Sequence, residues 1–227
     1  MTPYYDHAGI TIYHGDCREM LPSLSFDVVV SDPPYGIAHP TDYKARGRGN
    51  LAACRDYVPV FDDDKPFDPA PWIDRPSILW GGNYFADKLP PSSGWIVWDK
   101  LRPHDLDQAT AELAWTNLVK GVRVFRHLWN GMMKASDDEL VHPTQKPEAL
   151  MRWVLSLRWV DPAWVILDPF MGSGTTLVAA KQLGRKAIGI EIEEHYCEIA
   201  AKRLAQEVLD FGPPTPEPEQ VGLLADL

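Results

Sequence analysis

Seven short runs of apolar, mostly β-branched or aromatic residues recur along the chain, and several are apolar at every position rather than at every second one. They lie at Ile10 to Tyr13, Phe26 to Val30, Ser77 to Trp80, Trp95 to Trp98, Val122 to Phe125, Trp164 to Leu167 and Lys186 to Ile190. A strand with one face in water alternates apolar and polar side chains, whereas a strand apolar throughout has both faces covered, as in a parallel sheet flanked by helices. Helical periodicity is found from Pro147 to about Arg158, with Leu150, Met151, Val154 and Leu155 on one face. It recurs from Thr175 to Leu183, ended by Gly184, and from about Glu193 to Leu209, where Tyr196, Ile199, Ala200, Leu204 and Val208 share a face. A short helix-like stretch, Arg18 to Leu24, separates the first two strands. Strands alternating with helices predict an α/β fold built on a mostly parallel sheet, and ligands of such sheets bind beyond the carboxyl ends of the strands. The residues that follow each strand are therefore where chemistry is expected.

Charge and cysteine content narrow the setting. The 227 residues carry 22 Lys and Arg against 32 Asp and Glu, a net charge of −10. Half of that charge comes from Glu207, Asp210, Glu217, Glu219 and Asp226, in a stretch with no Lys or Arg, so the body is closer to neutral. From Gly212 the chain is proline-rich and acidic and reads as a flexible tail, leaving one domain over residues 1–211. No apolar run approaches the roughly 20 residues of a membrane span, and Met1 to Asp6 lacks the features of a secretory signal, so a soluble, cytoplasmic protein is expected. Cys17, Cys54 and Cys197 are far apart and form no CxxC pair, which argues against a disulfide framework or a zinc site; no metal is expected.

Two stretches after apolar strands stand out. Asp168-Pro169-Phe170-Met171-Gly172-Ser173-Gly174-Thr175-Thr176 joins a strand to a helix through a tight glycine turn, which brings backbone N–H groups and a helix amino terminus close to a ligand. No GKS/T follows, so it is not a P-loop, and Leu177 stands where a dinucleotide fingerprint needs a third glycine. A nucleoside-type cofactor site remains, and Glu191, nineteen residues beyond Gly172 at the end of the next strand, is placed to accept two ribose hydroxyls. The second stretch is Asp32-Pro33-Pro34-Tyr35. Its prolines fix the backbone and remove two donors, so the Asp32 carboxylate and the Pro33 carbonyl can face outward as acceptors for the two hydrogens of a planar amino group. Tyr35 can stack on the ring that bears it, for roughly 1–3 kcal/mol.

Together these stretches resemble the S-adenosylmethionine-dependent DNA amino-methyltransferases, in which D-P-P-Y marks the catalytic strand and F-x-G-S-G-T the cofactor strand. D-P-P-Y precedes the cofactor stretch, the order of the permuted β group. His142-Pro143-Thr144-Gln145-Lys146-Pro147 and Tyr13-His14-Gly15-Asp16-Cys17 extend the resemblance over about residues 10 to 208. It implies a class I, Rossmann-like methyltransferase fold in circularly permuted order, with a mostly parallel sheet and an antiparallel edge strand. It implies S-adenosylmethionine as cofactor and DNA as partner. Asp32, Pro33, Pro34 and Tyr35 would be catalytic. Asp32, Asp168, Pro169, Phe170, Gly172, Ser173 and Gly174 would shape the cofactor pocket, Glu191 with Ile192 would bind the ribose, and Asp16 and Cys17 the adenine. Thr144, Lys146, Thr175 and Thr176 would lie near the methionine end, with Lys146 against its carboxylate; Thr144 reads equally well as a helix cap.

In the family D-P-P-Y usually accompanies N6-adenine methylation and S-P-P-Y N4-cytosine methylation, so Asp32 points to adenine, flipped out of the duplex to reach the pocket. Cytosine N4, an RNA substrate and a catalytically idle binding protein are the other readings the residues leave open. Basic residues suited to phosphate contact are Lys44, Arg46, Arg48 and Arg55 after the catalytic turn, then Lys120, Arg123, Arg126 and Lys134, with Arg102 and His104 as weaker candidates. A small target-recognition insert is expected at about 37–75 and a second DNA-facing segment at about 100–141. Such short inserts predict a short or relaxed recognition site. The acidic tail is expected to temper non-specific binding. A second copy of the chain and a cognate restriction endonuclease are partners known in the family, and no residue here specifies either.

Overall fold

The computed structural model describes residues 1–38, 60–102, 109–130, 133–134, 142 and 144–206. Nine strands form one sheet: β1 (Tyr5–His7), β2 (Ile10–His14), β3 (Val28–Ser31), β4 (Ser77–Trp80), β5 (Gly94–Asp99), β6 (Ala111–Thr116), β7 (Val122–Arg126), β10 (Ile166–Asp168) and β11 (Ala187–Glu191). The short strands β8 (Trp129–Asn130) and β9 (Met133–Lys134) pair with each other. Four α-helices accompany them: α1 (Cys17–Met20), α2 (Glu148–Leu155), α3 (Thr175–Gln182) and α4 (Glu194–Ala205). Each of the seven apolar runs contributes a strand and each long helical period a helix, with Val208 and Leu209 at the end of the third period outside the described residues.

The strand order is β1-β2-β11-β10-β3-β4-β6-β5-β7. Only β1, at one edge, and β6, inside the sheet between β4 and β5, run against the others. β6 was not among the expected strands. Ala111-Glu112-Leu113-Ala114 are helix formers, and the two flanking strands override that preference by taking up the backbone hydrogen bonds on both sides of β6. The reversal has a geometric consequence. The start of β6 lies at the same edge of the sheet as the carboxyl ends of β3, β4 and β5, with Glu112 opposite Trp98.

Both faces of the central strands are covered, as their apolar runs require, whereas Val122 and Val124 of the edge strand β7 are exposed. On one face Ile10, Val28, Val30, Ile78 and Ile96 pack with Leu150, Val154, Leu177 and Leu204 of the helices. On the other, Val29, Leu79, Leu167 and Ile190 meet Phe26, Phe67, Trp72 and Phe85. Two expected DNA-facing segments are therefore partly scaffold. Phe67 and Trp72, within 37–75, are core residues, and β6 and β7 are sheet strands within 100–141. Among the described residues no helix is long and apolar enough to cross a membrane.

Candidate active site

The carboxyl ends of the parallel strands carry the two stretches side by side. β3 leads into Asp32 and β10 ends in Asp168, and these strands are neighbours. The Ser31 hydroxyl donates to Asp168 Oδ1 at 2.6 Å, joining the two turns inside the protein.

After β3, Pro33 is buried, and the hydroxyl of Tyr35 donates back to Asp32 Oδ1. Asp63 fixes the shape of the turn, its Oδ1 accepting from the backbone N–H groups of Tyr35 (2.8 Å) and Gly36 (3.0 Å). The Tyr35 ring lies against Gly81, at the end of β4, so closely that a Cβ there would sit 2.0 Å from it, and Gly81 also has φ of 73°. Tyr84 stacks on Tyr35 with ring centroids 4.9 Å apart. Burial pushes the Tyr35 phenol well above its usual range, so it is a neutral donor. We expect Gly81→Ala to displace the Tyr35 ring and to lower methyl transfer at least tenfold in single-turnover assays while sparing cofactor binding, measured by calorimetry.

After β10, Gly172 (φ 50°) and Gly174 (φ 80°) take left-handed conformations that turn the chain into α3. Glu191, at the end of β11, clamps this turn. Its Oε2 accepts from Gly172 N–H at 2.9 Å and its Oε1 from Glu193 N–H at 2.9 Å. Burial raises its pKa against those bonds. Ser173 is buried, its carbonyl and hydroxyl accepting from Arg203 at 2.6 and 3.1 Å. Phe170 sits edge-on to Phe67 and Trp72. Asp168 is buried with Pro169, and burial pushes its pKa up to about 6 against hydrogen bonds from Ser31 and Thr176. At the end of β2, Asp16 caps α1 and pairs with Arg18 at 2.6 Å, while Cys17 is buried and its thiol pushed up to about 12. His14 Nε2 lies 3.1 Å from the Ile192 carbonyl. A cleft lined by Asp32, His142, Thr144, Gln145, Lys146, Phe170, Gly172 and Thr176 connects the two turns.

Lys146, expected against the cofactor's carboxylate, has its ammonium 2.5 Å from Asp32 Oδ2, 3.0 Å from Glu112 Oε2 and 3.2 Å from the Tyr35 hydroxyl. Thr144 is not a helix cap. Pro147 occupies that position, and the Thr144 N–H lies 3.3 Å from His142 Nδ1. The row continues beyond Glu112, whose Oε1 accepts from Lys100 at 2.5 Å. Burial works against the ionised Glu112, but the ammoniums of Lys146 and Lys100 hold it down to about 2. Sequence reasoning missed Glu112, Lys100, Asp63, Gly81 and Tyr84. Only Lys100, next to the Trp98-Asp99 strand end, carried any local signal.

The basic residues are less concentrated. Lys44, Arg46, Arg48, Arg55 and His104 lie outside the described residues, as does the acidic tail. Arg102 donates to the Trp129 carbonyl at 3.0 Å, Arg123 lies over the Trp159 ring at 4.8 Å, and exposed Arg126 is 3.4 Å from Asp99.

A family model for a DNA methylase family, N6_N4_Mtase, matches residues 96–202. The chain is 28% identical over 260 residues to the type II methyltransferase M.ScaI of Streptomyces caespitosus, covering 90% of this chain and 84% of that one. It is 26% identical over 252 residues to the type II methyltransferase M2.LlaDCHI of Lactococcus lactis subsp. cremoris, covering 89% and 91%. A crystal structure of an M1.HpyAVI–SAM complex superposes with a TM-score of 0.54 at 27% identity, over 86% of this chain and 99% of that one. The cytosine-N4-specific PvuII DNA methyltransferase shares the fold, with a TM-score of 0.62 at 16% identity over 90% and 89% of the two chains. The fold is that of the class I methyltransferases. With its paired turns on adjacent strands, the chain is similar over most of its length to type II DNA methyltransferases, and its residues 96–202 match the model of the N6_N4_Mtase DNA methylase family.

Proposed function

We propose that the protein transfers a methyl group from S-adenosylmethionine to the exocyclic N6 of an adenine flipped out of DNA, at a short or relaxed recognition site. The observation that carries this reading is the pairing of the Asp32 turn with the glycine turn through the Ser31–Asp168 bond, which sets a hydrogen-bond acceptor for an amino group beside a nucleoside pocket. The pocket residues fit the cofactor. Buried Asp168 suits a cationic amino group, Glu191 keeps acceptor capacity for hydroxyls, and Phe170 offers an aromatic wall. Gly172, Gly174, Thr175 and Thr176 shape the turn beneath it, Asp16, Cys17 and Ile192 close the adenosine end, and Thr144 the methionine end.

When bound, S-adenosylmethionine supplies a methyl carbon already activated by its sulfonium. Asp32 and the Pro33 carbonyl accept the two amino hydrogens of the target base and so aim the nitrogen at that carbon, while Pro34 and Asp63 hold the turn rigid and Tyr35 supports the ring. As the nitrogen gains positive charge, the Asp32 carboxylate stabilises it. Burial raises the pKa of Asp32, which fits it to take the departing proton. No covalent enzyme intermediate is required. Lys44, Arg46, Arg48, Arg55, Arg102, Arg123 and Arg126 are the candidates for phosphate contact, and Arg126 is the most exposed of the three that are described.

The test is transfer of labelled methyl from S-adenosylmethionine to unmethylated DNA, followed by digestion and nucleoside mass spectrometry. N6-methyladenine is expected. N4-methylcytosine as the product would overturn the choice of base, and strict reading of six or more base pairs in a cleavage-protection panel would overturn the short site.

A pH dependence follows from Asp168. Its folded-state pKa lies above the unfolded value, so its ionisation makes the free fold less stable as pH rises from about 4 to about 6. A cationic cofactor amino group prefers the ionised form. Cofactor affinity should therefore weaken as pH falls through 6, opposite in sign to the stability effect. Isothermal titration from pH 5 to 8 checks this, and Asp168→Asn should flatten the profile.

A further inference from the structure

Asp32, Lys146, Glu112 and Lys100 form a row of four alternating charges along the carboxyl edge of the sheet. Each contact is short: Asp32 to Lys146 is 2.5 Å, Lys146 to Glu112 is 3.0 Å, and Glu112 to Lys100 is 2.5 Å. Lys146 is 5% exposed; its ammonium donates to Asp32 Oδ2 and to the Tyr35 hydroxyl and forms an ion pair with Glu112 Oε2 at 3.0 Å. The row exists because β6 is reversed, so that its second residue reaches the edge where β3 and β5 end.

We propose that Glu112 is a positioning residue for methyl transfer: by sharing the Lys146 ammonium it keeps that cation from neutralising Asp32, and the row presents its negative end to the target amino group. A bound ammonium partly offsets the potential of its carboxylate, so an amino nitrogen acquiring positive charge gains less from Asp32 paired with an undivided lysine than from Asp32 whose lysine is shared. A second carboxylate on the far side of the same ammonium restores the imbalance. Lys100 then balances Glu112 at the end remote from the base, so the buried row carries no net charge. The acceptors on Asp32 are not exhausted, because each carboxylate oxygen keeps a second lone pair beyond its bond to Tyr35 or Lys146.

This inference rests on Asp32 acting at the target amino group, and the experiment separates the two. Wild type, Glu112→Gln and Glu112→Asp are compared by single-turnover methyl transfer, steady-state KM for DNA, and calorimetric binding of S-adenosylmethionine. Glu112→Gln is expected to lose about tenfold to a hundredfold in the transfer rate with KM and cofactor affinity changed less than threefold. Glu112→Asp keeps the charge on a shorter arm and is expected to recover most of that loss. It also serves alone if the glutamine variant is too unstable to assay, with an expected loss of threefold to tenfold at unchanged cofactor affinity. A wild-type rate in either assayed variant overturns the inference. So does a rate loss matched by an equal loss of cofactor affinity, or an aspartate variant no better than the glutamine one. Failure of the wild-type protein to methylate any amino group would instead overturn the functional reading itself.

Discussion

Asp32→Ala should lower single-turnover methyl transfer by about a thousandfold or more, with cofactor binding weakened no more than about tenfold. Removing one preorganised hydrogen-bond partner of developing charge generally costs about 10²–10³ in rate, or about 2.7–4 kcal/mol. Here the loss is larger because of what remains. The Lys146 ammonium, 2.5 Å from Asp32, stays anchored by Glu112 at 3.0 Å, so the variant confronts a nitrogen gaining positive charge with a fixed cation. The same anchorage keeps the fold intact, since no buried charge is left without a partner. Asp32→Asn is the informative control. It preserves an acceptor oxygen and the shape of the turn but removes the charge, and it is expected to fall between the wild type and the alanine variant. Activity of Asp32→Ala within tenfold of wild type would exclude Asp32 from the chemical step.

The fold and both turns were legible because the signals are local. Continuous apolar runs such as Phe26 to Val30 state that both faces of a strand are covered, and Asp32-Pro33-Pro34-Tyr35 fixes its own backbone through two rigid residues. The glycine turn carries its conformation in Gly172 and Gly174, which the structure places at positive φ. What could not be read is set by which strands become neighbours. Glu112 lies in a run of helix formers, and only its pairing with β4 and β5 makes it part of β6 and brings it to Lys146. Lys146 reads from sequence as a partner for the cofactor's carboxylate, and its sequence neighbours say nothing of the two carboxylates, 114 residues away in the case of Asp32, that hold it. Asp63 belongs to an acidic triplet whose other two members give no hint that it alone is turned inward to bind the Tyr35 and Gly36 N–H groups. Local chemistry was readable, whereas long-range electrostatic partnership required the strand order.

The second large effect is on stability. Lys146→Met keeps the length and apolar stem of the side chain but removes an ammonium that is 5% exposed and bound to two carboxylates. Breaking a buried pair by deleting one partner typically destabilises by about 3–5 kcal/mol, because the other charge is left uncompensated. Asp32 and Glu112 would then face each other across the gap with only Lys100 to balance them. The sign of the pH dependence distinguishes this cause from simple loss of packing. In the wild type Glu112 is held at about 2, below its unfolded value, so its contribution is present above pH 4.5 and is lost only as pH falls toward 2. In the variant, burial acts on both carboxyls without the Lys146 ammonium to oppose it, and their pKa values move up. A carboxyl whose folded pKa exceeds its unfolded one binds its proton more readily in the native state, so the variant gains stability relative to wild type as pH is lowered. Urea unfolding at pH 7.5 and pH 5 should therefore show a deficit of about 3–5 kcal/mol that shrinks at the lower pH. A deficit of the same size at both values would mean that Lys146 acts through packing alone, and a deficit below about 1 kcal/mol would mean that the row of charges contributes nothing to holding the active edge of the sheet together.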